Sequence, residues 1–255
     1  MQNKREEKLQ GRDVQLGGGA RAERQHGKLY LWFDNFWYHH KWKTIIISFF
    51  AIVVLICTLQ MCGKEKSGDI NVVTVGPYNF ISEDSGITDL KKCLATYLPA
   101  DYDEDGVKKV DIVSYTVYSE EQIVALQQQD VFVNTANNKI EYDNFYSYLQ
   151  TGEASILLLD PWLYEEMQGK LIDLNALLGY TPAGAITSVD EQGKTLCYGV
   201  RLGDTALYKE NSSMKVLPED TVICLVTPLF IGKNSDEAEF AKAKDFIVAL
   251  IGKEE

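Results

Sequence analysis

The stretch GEASILLLDPWLYEEM, residues 152–167, joins a glycine turn, an uninterrupted apolar run and an Asp-Pro-Trp sequence that opens a helix. The apolar run, Ile156–Leu159, has no polar side to turn toward solvent. Strands of this kind are buried on both faces, as in parallel sheets that helices cover on both sides. The stretch therefore predicts a central strand that is followed at once by a helix, with Asp160 at the strand's carboxyl end.

The same alternation of strand and helix continues on both sides of this stretch. Further buried strands are predicted over residues 71–76, 107–117 and 221–227. Ser119 and Gln122 form a capping-box pattern, which predicts a helix directly after the second strand. Gly193 lies in a turn between two β-like runs, which predicts a hairpin at the edge of the sheet. We expect an α/β fold, an open, mostly parallel three-layer sandwich.

Charge divides the chain at a second apolar segment. Residues 1–43 contain nine Lys/Arg and five Asp/Glu, a net charge of +4, so the total of −12 leaves −16 for the rest of the chain. Residues 44–62 carry no charge. As a helix they extend about 28 Å, which is close to the hydrocarbon thickness of a bilayer. We expect a single transmembrane helix in front of the α/β domain.

The charges that flank this segment predict its orientation. Lys41 and Lys43 adjoin it on the amino side, where the other basic residues of the arm also lie, and this places the N-terminus in the cytoplasm. About forty residues precede the segment and no small-residue cleavage pattern follows it, which favours an uncleaved signal anchor over a cleaved signal peptide. Lipidation of Cys62 stays open as an alternative, because LQMC has leucine at the appropriate distance.

The predicted organisation has four parts. They are a disordered cytoplasmic arm with an aromatic juxtamembrane segment (1–43), a transmembrane helix (44–62), a linker (63–70) and an extracytoplasmic α/β domain (71–255). Disorder is expected in the arm because it has few apolar residues to bury. The stretch FDNFWYHHKWKTIII resembles the preface to the first span in many membrane-anchored proteins of Gram-positive bacteria. That resemblance implies a bacterial plasma membrane with the α/β domain outside the cell.

Missing residue types narrow the chemistry of the α/β domain. The histidines are His26, His39 and His40, and all of them precede residue 44. Ser-His-Asp and Cys-His mechanisms and most zinc sites need an imidazole, so we do not expect an enzyme. Arg201 is the only arginine after residue 43, which weakens recognition of phosphate or carboxylate by an Arg cluster. A net charge of −16 disfavours nucleic acid.

A ligand site is predicted where two strands end. Tyr78 and Asn79 follow the first strand, and Asp160 and Trp162 follow the third. The carboxyl ends of strands in an open α/β sheet meet at one rim, where ligands bind. These four residues, together with Arg201, are our candidate ligand-binding residues, with Trp162 as a stacking platform. The alternative is that Asp160 caps the helix after it and Trp162 fills the core.

An acidic turn suggests one cofactor. DYDEDG, residues 101–106, spaces Asp101, Asp103 and Asp105 like the first half of a calcium loop, with a glycine at the bend. Position twelve of such a loop is Ile112 and not the usual bidentate Glu. We therefore predict a weak calcium site at most, with a solvated acidic turn as the alternative, and expect no other cofactor.

The cysteines of the α/β domain are odd in number. They are Cys93, Cys197 and Cys224, and none of them forms a C-x-x-C spacing. Isolated cysteines in apolar segments are typically small residues of the core. A bridge between Cys197 and Cys224 stays open at this stage.

Several of these motifs together resemble a known family. A helix that runs into a glycine turn, an apolar strand that ends in Asp, an aromatic residue, GKLIDLNALL, YGV and a last apolar helix resemble the first lobe of bacterial extracellular solute-binding proteins of the sugar-transporter class. The matching residues here are 142–149, Gly152, 156–160, Trp162, 171–178, 198–200 and 240–250. In that family a second lobe follows YGV, whereas only about twenty residues separate Val200 from Thr221 here. The second lobe is missing.

The resemblance implies a function by binding. We expect a membrane-anchored extracytoplasmic protein with one periplasmic-binding-protein-like lobe, which binds a small solute or an envelope partner such as a transporter. A lone lobe has no second lobe to close over a sugar. The alternative hypothesis is a structural or assembly subunit of a membrane complex with no ligand of its own.

Overall fold

The computed structural model describes residues 28–62, 68–78, 80, 85–230 and 232–252. The chain forms two compact units, Met1–Glu65 and Lys66–Glu255. Residues 1–27 of the predicted arm, residues 63–67 of the predicted linker and Asn79 lie outside the described residues.

In its described part, the first unit is a single helix, α1 (Lys28–Cys62). Its stretch Asn35–Leu59 is long and apolar enough to cross a membrane. The helix begins well before residue 44, so it includes the aromatic juxtamembrane segment and residues 28–30 at the end of the polar arm. Aromatic residues one turn apart stack on each other in this region, as Trp32 and Phe36 do with ring centroids 5.6 Å apart. Such pairs stabilise a helix.

The second unit is built on a six-stranded sheet. Its strands are β1 (Ile70–Gly76), β2 (Val110–Thr116), β3 (Ile156–Leu159), β4 (Ala185–Val189), β5 (Thr195–Arg201) and β6 (Val222–Leu225). They lie in the order β2-β1-β3-β6-β5-β4. Strand β1 pairs in parallel with β2 and β3, whereas β6 is antiparallel to β3 and β5, and β4 is antiparallel to β5. Four strands therefore run in one direction and two in the other.

Strand β6 departs from the parallel alternation because of the short connection in front of it. The chain leaves β5 at Arg201 and enters β6 at Val222, and these two residues are paired at the same rim. The connecting helix α7 (Ala206–Glu210) has only five residues, about 7 Å, which is too short to carry the chain back along the sheet. The predicted open α/β sheet is confirmed, and β1, β2, β3 and β5 share one direction.

Helices cover both faces of the sheet. Besides α7 they are α2 (Ser85–Thr96), α3 (Glu120–Gln127), α4 (Thr135–Gln150), α5 (Pro161–Met167), α6 (Leu174–Leu178) and α8 (Glu237–Ile251). One apolar core contains side chains of α2, α6, α7 and α8, such as Leu90 and Phe246. The other contains side chains of α4 and α5, such as Phe145 and Leu163. The three layers of the predicted sandwich are therefore present.

Strand β3 holds these layers together. All four of its residues are buried. Ile156 and Leu158 belong to the core under α2 and α8, and Leu157 and Leu159 belong to the core under α4 and α5. Since β3 pairs with β1 on one side and β6 on the other, the prediction of a central strand is confirmed.

The hairpin of β4 and β5 ends the sheet on one side, as predicted, with β4 at the edge. Gly193 takes a positive φ of 80° in its turn. Cys197 lies in one apolar core and Cys224 in the other, and both thiols are free. The bridge between them that the sequence left open is not formed, because the two side chains point to opposite faces of the sheet.

Gly199 in β5 permits a close approach of α5 to the sheet. A Cβ atom there would lie 2.9 Å from Cε2 of Tyr164 and closer still to the side chain of Val222. We predict that Gly199→Ala lowers the free energy of unfolding by about 1–3 kcal/mol, because the neighbours are packed side chains and not flexible ends. Urea unfolding followed by circular dichroism measures this. The control is Gly169→Ala, whose Cβ meets nothing within 4 Å, and an equal loss in both variants would contradict the prediction.

Candidate functional site

The carboxyl ends of four strands lie along one rim of the sheet. Gly76 at the end of β1 pairs with Thr116 at the end of β2, and Val75 pairs with Leu159 at the end of β3. We call this edge of the sheet, together with the residues that follow β1, β2 and β3, the rim. Arg201, at the end of β5, is exposed and lies on the same side, beyond β6. The rim is where the sequence placed its candidate ligand residues.

Asp160 is built into the rim as a helix cap. Its Oδ1 accepts a hydrogen bond from the backbone N–H of Trp162 (3.2 Å) at the start of α5, where Pro161 takes the first helical position. Its Oδ2 accepts a hydrogen bond from Nε2 of Gln122 in α3 (3.1 Å). The residue is only 7% exposed, and burial raises the pKa of its carboxyl above the ordinary value. Asp160 therefore connects α3 to α5.

Tyr78 is also an internal residue of the rim. It is 5% exposed, and its hydroxyl shares a hydrogen bond of 3.0 Å with the hydroxyl of Thr221. Its carbonyl accepts a hydrogen bond from the hydroxyl of Thr116 (2.7 Å). Burial raises the pKa of Tyr78 above its usual range. Tyr78 and Asp160 thus form a buried polar layer beneath the surface of the rim.

Trp162 lines a surface cavity. It is half-buried and stacks on Tyr142 of α4, with ring centroids 6.4 Å apart and planes at 14°. The hydroxyl of Tyr142 donates to the carboxylate of Glu166 (3.1 Å), and burial is the main cause of the raised pKa of Tyr142. The indole N–H of Trp162 is buried and has no partner among the described residues. Trp162 is therefore partly packed and partly available.

The open surface of the rim lies along α3. This helix begins with the predicted capping box, in which Ser119 and Gln122 exchange hydrogen bonds, yet none of its residues is buried. A cavity of about 550 Å³, the α3 groove, lies between α3, residues 131–134 and the start of α4. Phe132 lines it with 87% of its surface exposed. An exposed aromatic residue in a cavity of this size is typical of a binding surface.

Hydrogen bonds fix the floor of the α3 groove. Oδ1 of Asn138 accepts from the backbone N–H of Tyr118 (2.8 Å), and Nδ2 of Asn138 donates to the carbonyl of Tyr118 (3.0 Å). Asn134 caps α4 through the backbone N–H of Asn137 (3.1 Å). Sequence reasoning missed this groove. Its signal was the apolar run at residues 131–133, which lies between Asp130 and Asn134 and outside any helical or strand periodicity.

A second cavity adjoins α3 on its other side. This acidic groove, of about 960 Å³, is lined by Glu120 and Glu121 of α3, Asp143 of α4, and Glu165 and Glu166 of α5. Lys139 is the cation that lines it among the described residues. The groove also reaches Trp162, so the exposed part of this predicted ligand residue faces concentrated negative charge.

The acidic turn at residues 101–106 has a fourth member that the sequence did not reveal. Carboxylate oxygens of Asp69, Asp101 and Asp103 lie within 4.8 Å of one another, whereas Asp105 pairs with Lys109 at 3.1 Å. Asp69 was missed because it is remote in sequence and reaches the turn only through the fold. The structure thus assembles a different set of three carboxylates from the predicted one.

Backbone N–H groups already satisfy much of this acidic turn. Asp69 accepts hydrogen bonds from the N–H groups of Tyr102 (2.7 Å), Asp103 (3.1 Å) and Lys109 (2.8 Å). Oδ2 of Asp101 accepts from Gly106 (2.7 Å), while its Oδ1 is buried with no hydrogen-bond partner among the described residues. The turn is therefore stable through its own hydrogen bonds, and calcium binding there stays a prediction.

Comparisons of this chain with models of known protein families, with characterised proteins and with solved structures found no match. The resemblance to solute-binding proteins accordingly stays a prediction from short motifs.

Burial of Asp160 predicts a specific pH dependence of stability. Because the pKa of this carboxyl is raised in the folded protein, the folded state holds the proton more tightly than the unfolded state. The contribution of Asp160 to the free energy of unfolding therefore falls as pH rises from about 4 through the raised pKa. Asp160→Asn lacks this component, so the wild type loses stability relative to the variant across that range. Urea unfolding at a series of pH values measures the difference, and a constant difference would contradict it.

The calcium hypothesis predicts weak binding at the acidic turn. With Ile112 where a bidentate Glu is usual, we expect a Kd of about 10⁻³ M and at least about tenfold weaker binding in Asp101→Asn. Isothermal titration of the full chain with calcium measures both. Absence of heat at millimolar calcium would leave only the hydrogen-bonded turn.

Proposed function

We propose that this chain is a single-pass protein of the bacterial plasma membrane, with its N-terminus in the cytoplasm and its α/β domain outside the cell, and that the domain acts by binding and not by catalysis. The apolar helix α1 supports the anchor. The net charge of +4 before residue 44, against −16 after it, supports the orientation. The lack of histidine after residue 43 supports a function without acid–base catalysis by imidazole.

The observation that carries the binding function is α3. Three features hold this helix: a capping box, the hydrogen bond from Gln122 to Asp160 and the neighbouring Tyr118–Asn138 pair. It nevertheless buries none of its residues in the domain. A helix that is held by these hydrogen bonds and contributes no side chain to the core presents its surface to another molecule.

The solute-binding resemblance fits this location. In open α/β sheets, ligands bind outside the carboxyl ends of the strands, and the α3 groove lies at that end of β2. With one lobe in place of two, the ligand meets an open groove and is not enclosed by domain closure. The proposed binding function includes two kinds of ligand. One is a small solute, and the other is an envelope partner such as a transporter component.

A second candidate function is a structural or assembly subunit of a membrane complex with no ligand of its own. It is favoured by the burial of Tyr78 and Asp160, because both residues use their polar atoms in internal hydrogen bonds. In that case the rim serves stability alone, and the exposed surface of α3 contacts a neighbouring subunit permanently.

Cysteine labelling in cells tests the proposed binding surface and its location together. In a chain whose Cys57 and Cys62 are replaced by serine, the remaining native thiols, Cys93, Cys197 and Cys224, are buried. We expect a cysteine at position 132 to react with a membrane-impermeant maleimide added to intact cells of the native host. We also expect its rate, relative to a cysteine at Val189 on edge strand β4, to be several-fold lower in cells than in the purified chain.

The comparison with position 189 is matched because Val189 is also an exposed apolar residue, at 68%. A lower relative rate at position 132 in cells means that the α3 groove is occupied there. An equal relative rate in cells and in detergent would contradict a binding function for the groove. Labelling of both positions only after permeabilisation would contradict the orientation.

A further inference from the structure

We propose that the occupant of the α3 groove is a segment of a partner protein that carries apolar side chains beside lysine or arginine, and not a sugar or another small neutral solute. This inference rests on the proposed binding function and adds the chemistry of the ligand. Size, apolar lining and charge of the surface around α3 support it independently.

The first support is the extent of the surface. The α3 groove (about 550 Å³) and the acidic groove (about 960 Å³) meet at Tyr118 and Asn138, which line both of them. Each cavity alone falls in the range of small-molecule sites, whereas the two together exceed it. Both are open to solvent along the length of α3, which is eight residues, or about 12 Å. A continuous surface of this length fits a peptide segment better than a single sugar.

The second support is the apolar lining of the α3 groove. Phe132 is 87% exposed and Val131 is 46% exposed, and both residues line this groove. The turn after α3 holds Phe132 in this position, because Asp130 takes a positive φ of 59° and the N–H of Val131 donates to the carbonyl of Leu126 (3.0 Å). Apolar side chains of a partner therefore find a preformed apolar surface.

The third support is the charge of the acidic groove. Glu120, Glu121, Asp143 and Glu165 are all exposed, and none of them forms an ion pair with a described residue. Carboxylates that repel one another around one cavity are complementary to a positively charged partner. A neutral sugar can form no ion pair with these carboxylates because it carries no positive charge, and an anionic lipid surface is repelled by them. The partner segment is therefore basic at the end that meets Glu121 and Glu165, and apolar at the end that meets Phe132.

Selection from a random peptide library tests the inference. The probe is a displayed library of peptides of about twelve residues, long enough to follow α3 in an extended or helical form. The target is the full chain in nanodiscs of neutral lipid. We expect the selected peptides to combine aromatic or aliphatic residues with a net positive charge, and their binding to weaken at least about fivefold between about 0.05 and 0.5 M salt.

Two pairs of variants locate the binding. Phe132→Ser is expected to weaken binding of the selected peptides at least tenfold, whereas Val189→Ser, which removes an exposed apolar side chain far from α3, leaves their binding unchanged. The double variant Glu121→Gln, Glu165→Gln is expected to weaken them about tenfold and to reduce the effect of salt. Its control, Glu191→Gln with Glu210→Gln, removes the same net charge at exposed positions outside both grooves.

Several outcomes would overturn the inference. These are selected peptides that are neutral or acidic, peptides that bind equally to the variants and their controls, and a chain that binds vesicles of anionic lipid but no peptide. If position 132 is nonetheless protected in cells, the binding function stands and only the chemistry of its ligand is wrong. If position 132 is not protected in cells, the binding function itself fails, whatever the library yields.

Discussion

Burial of β3 on both of its faces is the constraint on which the rest of the domain depends. Four apolar residues in succession leave no face for solvent, and burying each side chain contributes roughly 1.5–3 kcal/mol. The sheet must therefore continue on both sides of β3, and helices must cover it above and below. This requirement places β1 and β6 beside β3, and places α2 and α8 over one face with α4 and α5 over the other.

The same strand determines the chemistry of the rim. Where β3 ends, Asp160 lies at the start of α5, and its short polar side chain accepts a hydrogen bond from the free N–H of Trp162. Its second oxygen accepts a hydrogen bond from Gln122, so both carboxylate oxygens of Asp160 are used inside the domain. Tyr78, after the end of β1, is likewise used inside the domain, because its hydroxyl shares a hydrogen bond with the hydroxyl of Thr221. The polar atoms at the ends of these strands are therefore used inside the domain, and the open surface of the rim lies along α3.

Helix α3 shows how a domain keeps a helix that it does not bury. Short helices are marginal in water, and most depend on a packed apolar face. Here the capping box satisfies the first backbone N–H groups, and Gln122 contributes both to that box and to the bond with Asp160. The domain itself buries none of the side chains of α3.

Much of the fold was predictable because its signals are local. The run at residues 156–159 predicted the central strand, Ser119 with Gln122 predicted the cap of α3, and Gly193 predicted the edge hairpin. The uncharged run at residues 44–62 likewise predicted an apolar helix, although not its earlier start at Lys28. Each of these follows from the periodicity, the capping pattern or the charge of a few neighbouring residues.

Only the tertiary structure decided the features that involve residues far apart in the sequence. No local pattern shows that β6 turns antiparallel, that Asp69 joins Asp101 and Asp103, or that Cys197 and Cys224 point to opposite faces. The sequence also does not show that Phe132 is exposed, because an apolar side chain is expected in the core until the packing around it is known. The sequence by itself determined which segments are strands and helices, since those depend on neighbouring residues. The packed chain decided which side chains meet and which remain exposed to solvent.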